Sequence, residues 1–396
     1  MMQTPRRTAR PRAAARGFTL VELLVAVTLG MVLVLALTTV MIRHDSGKRT
    51  LISTNDLSLG TSYVSYALDR ELRSAGSGFT RNWADTFGCL LHVSNNNTQV
   101  LPRTAAFPAP FAAVPQQVRL APLLIHAGAG TGGSDVLAVA TGAAGLGEAP
   151  IRVRPGSATA SDLRVDNTVG LRAGDLVLVA EGGANCLLEQ VAAPAVPYGA
   201  SQVLSFGGTY ADAEIAAVKL IDFGVTGTAF VSSLGNIAGN RPMLRLVGIG
   251  ANATLVSLDM LQLDNDTPQP LVDGVVELRA LYGVDTSATA DGTIDAWLAP
   301  TAVGYTAAAL SDGTAAARDR LMRILAVRVG MVLRSDRIER DAVAPASLTL
   351  FTDLPTAVQH THAIATGERT QRFRTIEFTV PLRNVMIAAR DAAAAP

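Results

Sequence analysis

The sequence predicts an α+β protein in which one long N-terminal helix precedes a large β-rich head. An unbroken apolar run spans residues 18–42, and a helical stripe of apolar residues follows it. Beyond residue 76 the pattern changes to short apolar runs separated by Gly, Pro, Asn and Asp, which is typical of strands and turns. Hydrophobic residues make up 49% of the 396 residues, enough to bury a core.

The charge distribution is uneven although the net charge is zero. Residues 1–17 contain five arginines and no acid, so the rest of the chain carries 28 of the 33 basic residues against 33 acidic residues. A mildly acidic body argues against a nucleic-acid-binding protein. A basic start before an apolar run also predicts a cytoplasmic N-terminus and an exported remainder.

The apolar run is long enough to cross a bilayer. A secretory signal would have a shorter apolar core and a small-residue cleavage site, but MIRHDSGKRT follows this run. A twin-arginine signal is a weaker interpretation, because Thr-Ala-Arg-Pro follows Arg6 and Arg7. An uncleaved single-span anchor stays open as an alternative.

Glu22 is the single ionisable residue of this run. A carboxylate inside hydrocarbon costs a few kcal/mol even on insertion scales, so it normally has a partner or a function.

The segment Gly17-Phe18-Thr19-Leu20-Val21-Glu22, after a basic leader, resembles the class III signal of type IV pilins. The resemblance implies that a prepilin peptidase cuts between Gly17 and Phe18, removing leader 1–17, and methylates the new amino group of Phe18. The apolar segment 18–42 would be retained as the spine of a filament. Glu22 would then neutralise the ammonium group of a neighbouring subunit and set the assembly register.

A continuous helix is predicted over 18–76. No proline interrupts residues 12–101, and Gly76 is a plausible C-cap. Spacings of three and four place one apolar stripe on the second half of this helix: Leu57, Thr61, Val64, Leu68 and Leu72. We expect this stripe to pack on the head.

The head is predicted to span 77–390, with a flexible tail at 391–396. Its strand-like segments include SDVLAVATG, GDLVLVAEG, PMLRLVGIG, RILAVRVGMVLRS and RTIEFTVPLRNV. Pro381 predicts an edge or a bulge at the end of the last of these strands. Residues 94–118 and 284–318 are predicted to be irregular.

Several segments, in order, are similar to those of PilW-type minor pilins: LDRELRSAG at 68–76, GDLVLVAEGGANCLLEQVA at 174–192, RILAVRVGMVLRS at 323–335 and RFRTIEFTVPLRN at 372–384. The resemblance implies a type IV pilin-like fold and a structural subunit, not an enzyme, that helps to prime pilus assembly in a filament-tip complex. It also implies an inner-membrane location with a periplasmic head before assembly, and a place in the pilus at the cell surface afterwards. The implied partners are other minor pilins, the major pilin, a PilY-type tip adhesin, the prepilin peptidase and the inner-membrane assembly platform.

Cys89 and Cys186 are the two cysteines, and both lie on the exported side. An isolated pair in an oxidising compartment predicts a disulfide; two buried thiols are the alternative.

Three other motifs are interpreted as structural, and no metal or cofactor is expected. GAGTGG at 128–133 precedes a strand rather than the helix that a dinucleotide site needs. The acidic segment 285–295 lacks the Gly and Glu of an EF-hand, and is interpreted as a solvated loop. His360 and His362 lack a third ligand at sensible spacing and are assigned to a loop.

Two alternative functions remain at this stage. One is a minor pseudopilin of a type II secretion system, which shares the leader. The other is an uncleaved, membrane-anchored periplasmic binding or adhesive protein.

Overall fold

The computed structural model describes residues 19–143, 149–182, 184–192, 196–198, 201–263 and 265–394. The chain divides into two compact units, residues 1–52 and residues 53–396. Helix α1 (Leu20–Arg73) contributes residues to both units. The structure thus has the α+β composition that the sequence predicts.

Four further α-helices occur in the described residues, all short and all in the second unit: α2 (Trp83–Thr86), α3 (Ala307–Leu310), α4 (Ala315–Met322) and α5 (Arg383–Ala394). The strands are β1 (Leu90–Asn95), β2 (Thr98–Leu101), β3 (Leu123–His126), β4 (Val136–Thr141), β5 (Ile151–Arg152), β6 (Asp162–Val165), β7 (Asp175–Glu181), β8 (Asn185–Gln190), β9 (Val196–Tyr198), β10 (Ser201–Ser205), β11 (Glu214–Ile215), β12 (Val218–Lys219), β13 (Phe230–Asn236), β14 (Met243–Ile249), β15 (Leu255–Asp259), β16 (Gln269–Val272), β17 (Val275–Val284), β18 (Ala296–Leu298), β19 (Ile324–Ile338), β20 (Ser347–Leu350), β21 (His360–Ala363) and β22 (Gln371–Pro381).

Three larger sheets organise the head. Their strand orders are β2-β1-β8-β7-β13-β5, β16-β15-β14-β4-β3 and β18-β17-β19-β22. Strands β1 and β8 pair in parallel, whereas the other strand pairs of these sheets are antiparallel. Strand β22, which ends at Pro381, lies at the edge of its sheet, where a missing N–H is tolerated.

The second half of α1 packs on the head through the predicted stripe. Leu57, Thr61, Val64, Leu68 and Leu72 are all at most 8% exposed. The four apolar members of the stripe join the main hydrophobic core, to which the three larger sheets also contribute. A separate cluster of buried apolar side chains comes from residues 151–231 and includes members of β5, β6, β7, β10 and β13.

A disulfide ties together the two strands of the parallel pair. Cys89 immediately precedes β1 and Cys186 lies in β8; their Cα atoms are 5.7 Å apart and both residues are fully buried. The bond closes a loop with a sequence separation of 97 residues. In the chain-entropy model a loop of that length contributes about 4–5 kcal/mol to stability.

The prediction of an irregular segment over 94–118 is wrong at its start, where β1 and β2 form a hairpin. Asn96 and Asn97 form the two-residue turn, with φ values of 50° and 57°. Asparagine tolerates this left-handed backbone, which two-residue hairpin turns require, so the three consecutive asparagines were a turn signal.

Helices replace two other segments that were predicted to lack regular structure. Within 284–318, Thr306 and Thr314 accept hydrogen bonds from the N–H groups of Ala309 and Ala317, and so cap the alanine-rich helices α3 and α4. Helix α5 extends to Ala394, where a flexible tail from residue 391 was expected. Alanine has the highest intrinsic helix propensity, and this accounts for both differences.

Residues 360–363 form strand β21, which pairs with β20, rather than the predicted loop. Phe351, which follows β20, is fully buried, and its ring lies against Gly330 of β19. A Cβ atom at position 330 would lie 2.7 Å from this ring, so glycine there lets the β20–β21 hairpin seat on the sheet.

Glu189 of β8 is a buried carboxyl group. It is 1% exposed, and its Oε1 has no hydrogen-bond partner in the described structure. Burial raises the pKa of Glu189 to about 8, although a hydrogen bond from the backbone N–H of Asp212 acts in the opposite direction. The folded protein therefore keeps this side chain protonated at neutral pH.

We predict that Glu189→Gln stabilises the protein increasingly as the pH rises. The folded-state pKa is raised above the unfolded value, so wild-type stability falls as pH rises from about 4.5 to about 8, while glutamine does not titrate. The advantage of the variant in free energy of unfolding should grow by roughly 2–4 kcal/mol between pH 5 and pH 8. Urea unfolding at both pH values measures this difference.

Glu214→Gln, at an exposed carboxylate, is the control for the loss of one acid elsewhere. An advantage of Glu189→Gln that stays constant across this pH range would contradict the assignment of a protonated buried acid.

Candidate functional site

The amino end of α1 is built as a capping box. Thr19 precedes the helix, and its Oγ1 accepts a hydrogen bond from the Glu22 N–H at 3.3 Å. Glu22 Oε2 in turn accepts from the Thr19 N–H and from its hydroxyl, both at 3.1 Å. This reciprocal pair satisfies N–H groups that would otherwise lack partners at the start of a helix.

The other carboxylate oxygen, Glu22 Oε1, makes no hydrogen bond among the described residues, and Glu22 forms no ion pair with any of them. The carboxylate is therefore held by one oxygen and can accept from another donor through the second.

Residues Leu20–Ile42 form a helix that is long and apolar enough to cross a membrane. The mean hydropathy of this stretch is 2.7, and it is not buried in the protein. Thr28, Thr38 and Thr39 donate their hydroxyls to carbonyl oxygens of their own helix, at 2.8–3.0 Å. Glu22 is thus the one side chain of this stretch whose charge needs a partner outside its own helix.

Gly17 and Phe18, the predicted cleavage position, lie outside the described residues, as does the rest of the basic leader. Glu22 and Thr19 belong to the described part of the helix. The disulfide of Cys89 and Cys186 lies in the head and not at this site.

The acidic loop at 285–295 is closed by its own hydrogen bonds. Asp285 is 1% exposed and accepts from the N–H groups of Ser287, Asp291 and Gly292 at 2.8–3.1 Å. Burial favours its neutral form, but these N–H groups and the charge of Arg323 hold the pKa of Asp285 below its usual value. The hydrogen bonds of the Asp285 carboxylate therefore hold the loop in this conformation.

The two histidines of β21 lie against a buried carboxylate. Glu277, 5% exposed, has its oxygens 3.2 Å from His360 Nε2 and 2.8 Å from His362 Nδ1. Arg279 Nε lies 2.6 Å from the same carboxylate and its guanidinium also reaches Asp135. Because Arg279 already supplies the positive charge, this cluster fastens the β20–β21 hairpin to β17. No group of three or more His, Cys, Asp or Glu side chains in the described residues is arranged to hold a metal ion.

The glycine-rich segment 128–133 is a turn between β3 and β4. It contains a single 3₁₀ turn (Thr131–Gly133), and the Gly128 N–H donates to Asp135 Oδ1 at 3.0 Å. A strand follows the turn, as the sequence predicts, and not a helix that could meet a pyrophosphate.

Two features of these sites were missed from the sequence. The Thr19–Glu22 capping box carries a local signal, since Thr-x-x-Glu before an apolar run is its signature. The cluster around Glu277 carries none, because its members come from segments that are about 80 to 230 residues apart.

Two segments of the chain match models of known protein families. The family model of the prokaryotic N-terminal methylation motif matches residues 12–38. The family model described as type IV pilus-assembly protein W matches residues 238–384. No curated protein and no solved structure matches the chain.

A methylation motif on an exposed apolar helix, followed by a β-rich head, defines a pilin-like protein with a class III signal. The match in the second half of the head makes the assignment more specific: together the two matches support a type IV pilus minor pilin that is similar to the PilW family. Both families consist of structural proteins, and this type of subunit interacts with other components of the pilus.

We predict that Asp285→Ala lowers the free energy of unfolding by about 2–4 kcal/mol, because three N–H groups and Arg323 lose a buried acceptor. Asp291→Ala, which removes an exposed acceptor of one N–H bond, is the matched control and should cost less than about 1 kcal/mol. Thermal unfolding of the wild type and of both variants, with added calcium or with EGTA, measures the two stability changes and any effect of calcium on them. A calcium-dependent rise in the wild-type midpoint that Asp285→Ala abolishes would contradict the structural role of this loop.

Proposed function

We propose that this minor pilin helps to prime assembly of the pilus from a complex at the filament tip. The observation that carries the proposal is the carboxylate of Glu22, the single ionisable group on an exposed apolar helix of 23 residues. Such a helix is stable only against lipid or against other apolar helices. A filament of packed helices supplies the second environment.

Processing between Gly17 and Phe18 is the first step of the proposal. The cut removes the five leader arginines and creates an α-ammonium group at Phe18, which the peptidase then methylates. Methylation of an amine retains its positive charge, so the group can still pair with a carboxylate. Phe18 precedes Glu22 by four residues, about one helical turn.

Glu22 then sets the register of the subunit. Thr19 holds Oε2, so the carboxylate stays at the amino end of the helix with Oε1 available. The ammonium group of a neighbouring subunit can donate to Oε1, and the low dielectric of the packed helices strengthens the pairing. A subunit docked in a wrong register would leave both charges desolvated without partners, which costs several kcal/mol.

The size of the head supports a place at the tip. A unit that runs from residue 53 to residue 396 is bulky, and its repetition at every position would crowd a filament. The proposed partners are therefore the other minor pilins, the major pilin and a PilY-type tip adhesin, together with the prepilin peptidase and the inner-membrane assembly platform. Before assembly the protein would span the inner membrane with its N-terminus in the cytoplasm and its head in the periplasm.

We predict that Glu22→Gln blocks incorporation into pili but not cleavage of the leader. The amide has the same shape but no charge with which to pair an ammonium group. The amount of this protein in sheared pili should fall at least tenfold relative to wild type, which corresponds to about 1.4 kcal/mol of docking energy. Quantitative immunoblotting of pili and membranes from a complemented deletion strain measures it.

Asp341→Asn, which removes an exposed acid of the head, is the control and should leave incorporation unchanged. Incorporation of the Glu22→Gln variant into pili at the wild-type level would contradict the role of Glu22 in setting the register. Equal numbers of this protein and the major subunit in pili would contradict the tip position. A deletion strain that keeps its pili but loses enzyme secretion would instead identify a secretion pseudopilin.

A further inference from the structure

A cavity of about 530 Å³ lies on one face of the sheet that contains β3, β4 and β14. Its floor consists of residues that are paired across these strands and so point to the same side: Leu124 with Ala138, Ala138 with Leu246, and Ala140 with Leu244. Alternate residues of a strand share a face, so this arrangement is a continuous apolar surface.

The walls come from two segments that are distant in sequence. One is the chain from Ala113 to Ala121, and the other runs from Pro300 through α3 to Asp312. Many wall positions are alanines, among them Ala113, Ala307 and Ala308, and their small side chains leave the space between the walls open. The volume lies within the range of about 300–1,000 Å³ that is typical of small-molecule sites.

His126, at the end of β3, contributes a polar group to this apolar surface. It is partly buried, and neither ring nitrogen makes a hydrogen bond with another described residue. Burial lowers the pKa of His126 to about 4, so the imidazole is neutral at pH 7 and offers one N–H donor and one acceptor nitrogen. A half-buried imidazole without a partner can therefore hydrogen-bond to a molecule in the cavity.

The charged residues that line the cavity already have partners in the protein. Arg119 donates to the carbonyl oxygen of Gly88 at 2.7 Å, and Asp312 accepts from the N–H and the hydroxyl of Thr314 at 2.8 and 2.7 Å. One positive and one negative side chain leave no net charge to attract an ion. Because these two charges are opposite, a charged ligand would lose hydration against the apolar floor without gaining a net countercharge.

We propose that this cavity binds a small, uncharged ligand that has an apolar body of one or two rings and one hydroxyl or amide group. The apolar body lies on the alanine and leucine floor, and the polar group hydrogen-bonds to His126. The site is separate from the amino end of α1 and does not depend on the proposed role in assembly.

Photolabelling of the full chain in lipid nanodiscs tests the site. The probe is trifluoromethyl-diazirinyl benzyl alcohol, an uncharged molecule with one ring and one hydroxyl. We expect saturable labelling of the tryptic peptides that line the cavity, which span residues 104–119, 120–152, 220–245, 246–279 and 280–318. The probe also dissolves in lipid, so labelling of residues 20–42 provides an internal reference.

Two tryptophan variants form the matched comparison. Ala308 is exposed on α3 at the cavity, whereas Ala316 is exposed on α4 and does not line it. Because both positions are on the surface of helices, neither substitution should impair folding. Ala308→Trp should abolish the saturable labelling of the head, and Ala316→Trp should leave it unchanged.

His126→Phe tests the hydrogen bond, because it keeps a ring of similar shape and removes both nitrogens. It should weaken probe binding about fivefold, as expected for loss of one neutral hydrogen bond. Saturable labelling confined to residues 20–42, or equal head labelling in the two tryptophan variants, would overturn the site. Unchanged affinity in His126→Phe would overturn the role of the imidazole.

Discussion

The pairing requirement of one carboxylate is the constraint on which the proposed assembly of this protein depends. Glu22 lies in a helix whose first 23 residues are predominantly apolar and are not buried in the protein, and a charge there is costly wherever the helix is surrounded by lipid or by other apolar helices. The capping box with Thr19 satisfies one carboxylate oxygen and leaves the other for an external donor. In the proposed assembly, the same group would disfavour an isolated subunit in the membrane and favour a correctly docked one.

The second half of α1 belongs to the same compact unit as the head. The apolar stripe that includes Val64 and Leu68 buries the second half of α1 in the main core of the head. The disulfide of Cys89 and Cys186 then fixes the parallel pair of strands in the first sheet. The contacts of the apolar stripe hold the second half of α1 to the head.

The parts of the fold that depend on local pattern could be predicted from the sequence. The apolar run follows from its unbroken length, and the Leu57-to-Leu72 stripe follows from a period of 3.6 residues. The principal strands follow from short apolar segments between turn residues. The β1–β2 hairpin, the alanine-rich helices and strand β21 were missed, although Asn96-Asn97 and the Thr caps were readable signals. The cluster at Glu277 and the cavity beside His126 could not have been predicted, because each combines residues from separate strands and loops.

Mass spectrometry of the N-terminal peptide tests the central claim most directly. The protein would be expressed in a piliated bacterium, purified from membranes and pili, and digested. Processing as a prepilin predicts a first residue of N-methylated Phe18, with the leader absent. A peptide that still carries the arginine-rich leader, in a cell whose prepilin peptidase processes its major pilin, would contradict the account, and Glu22 would then need a partner other than a neighbouring α-ammonium group.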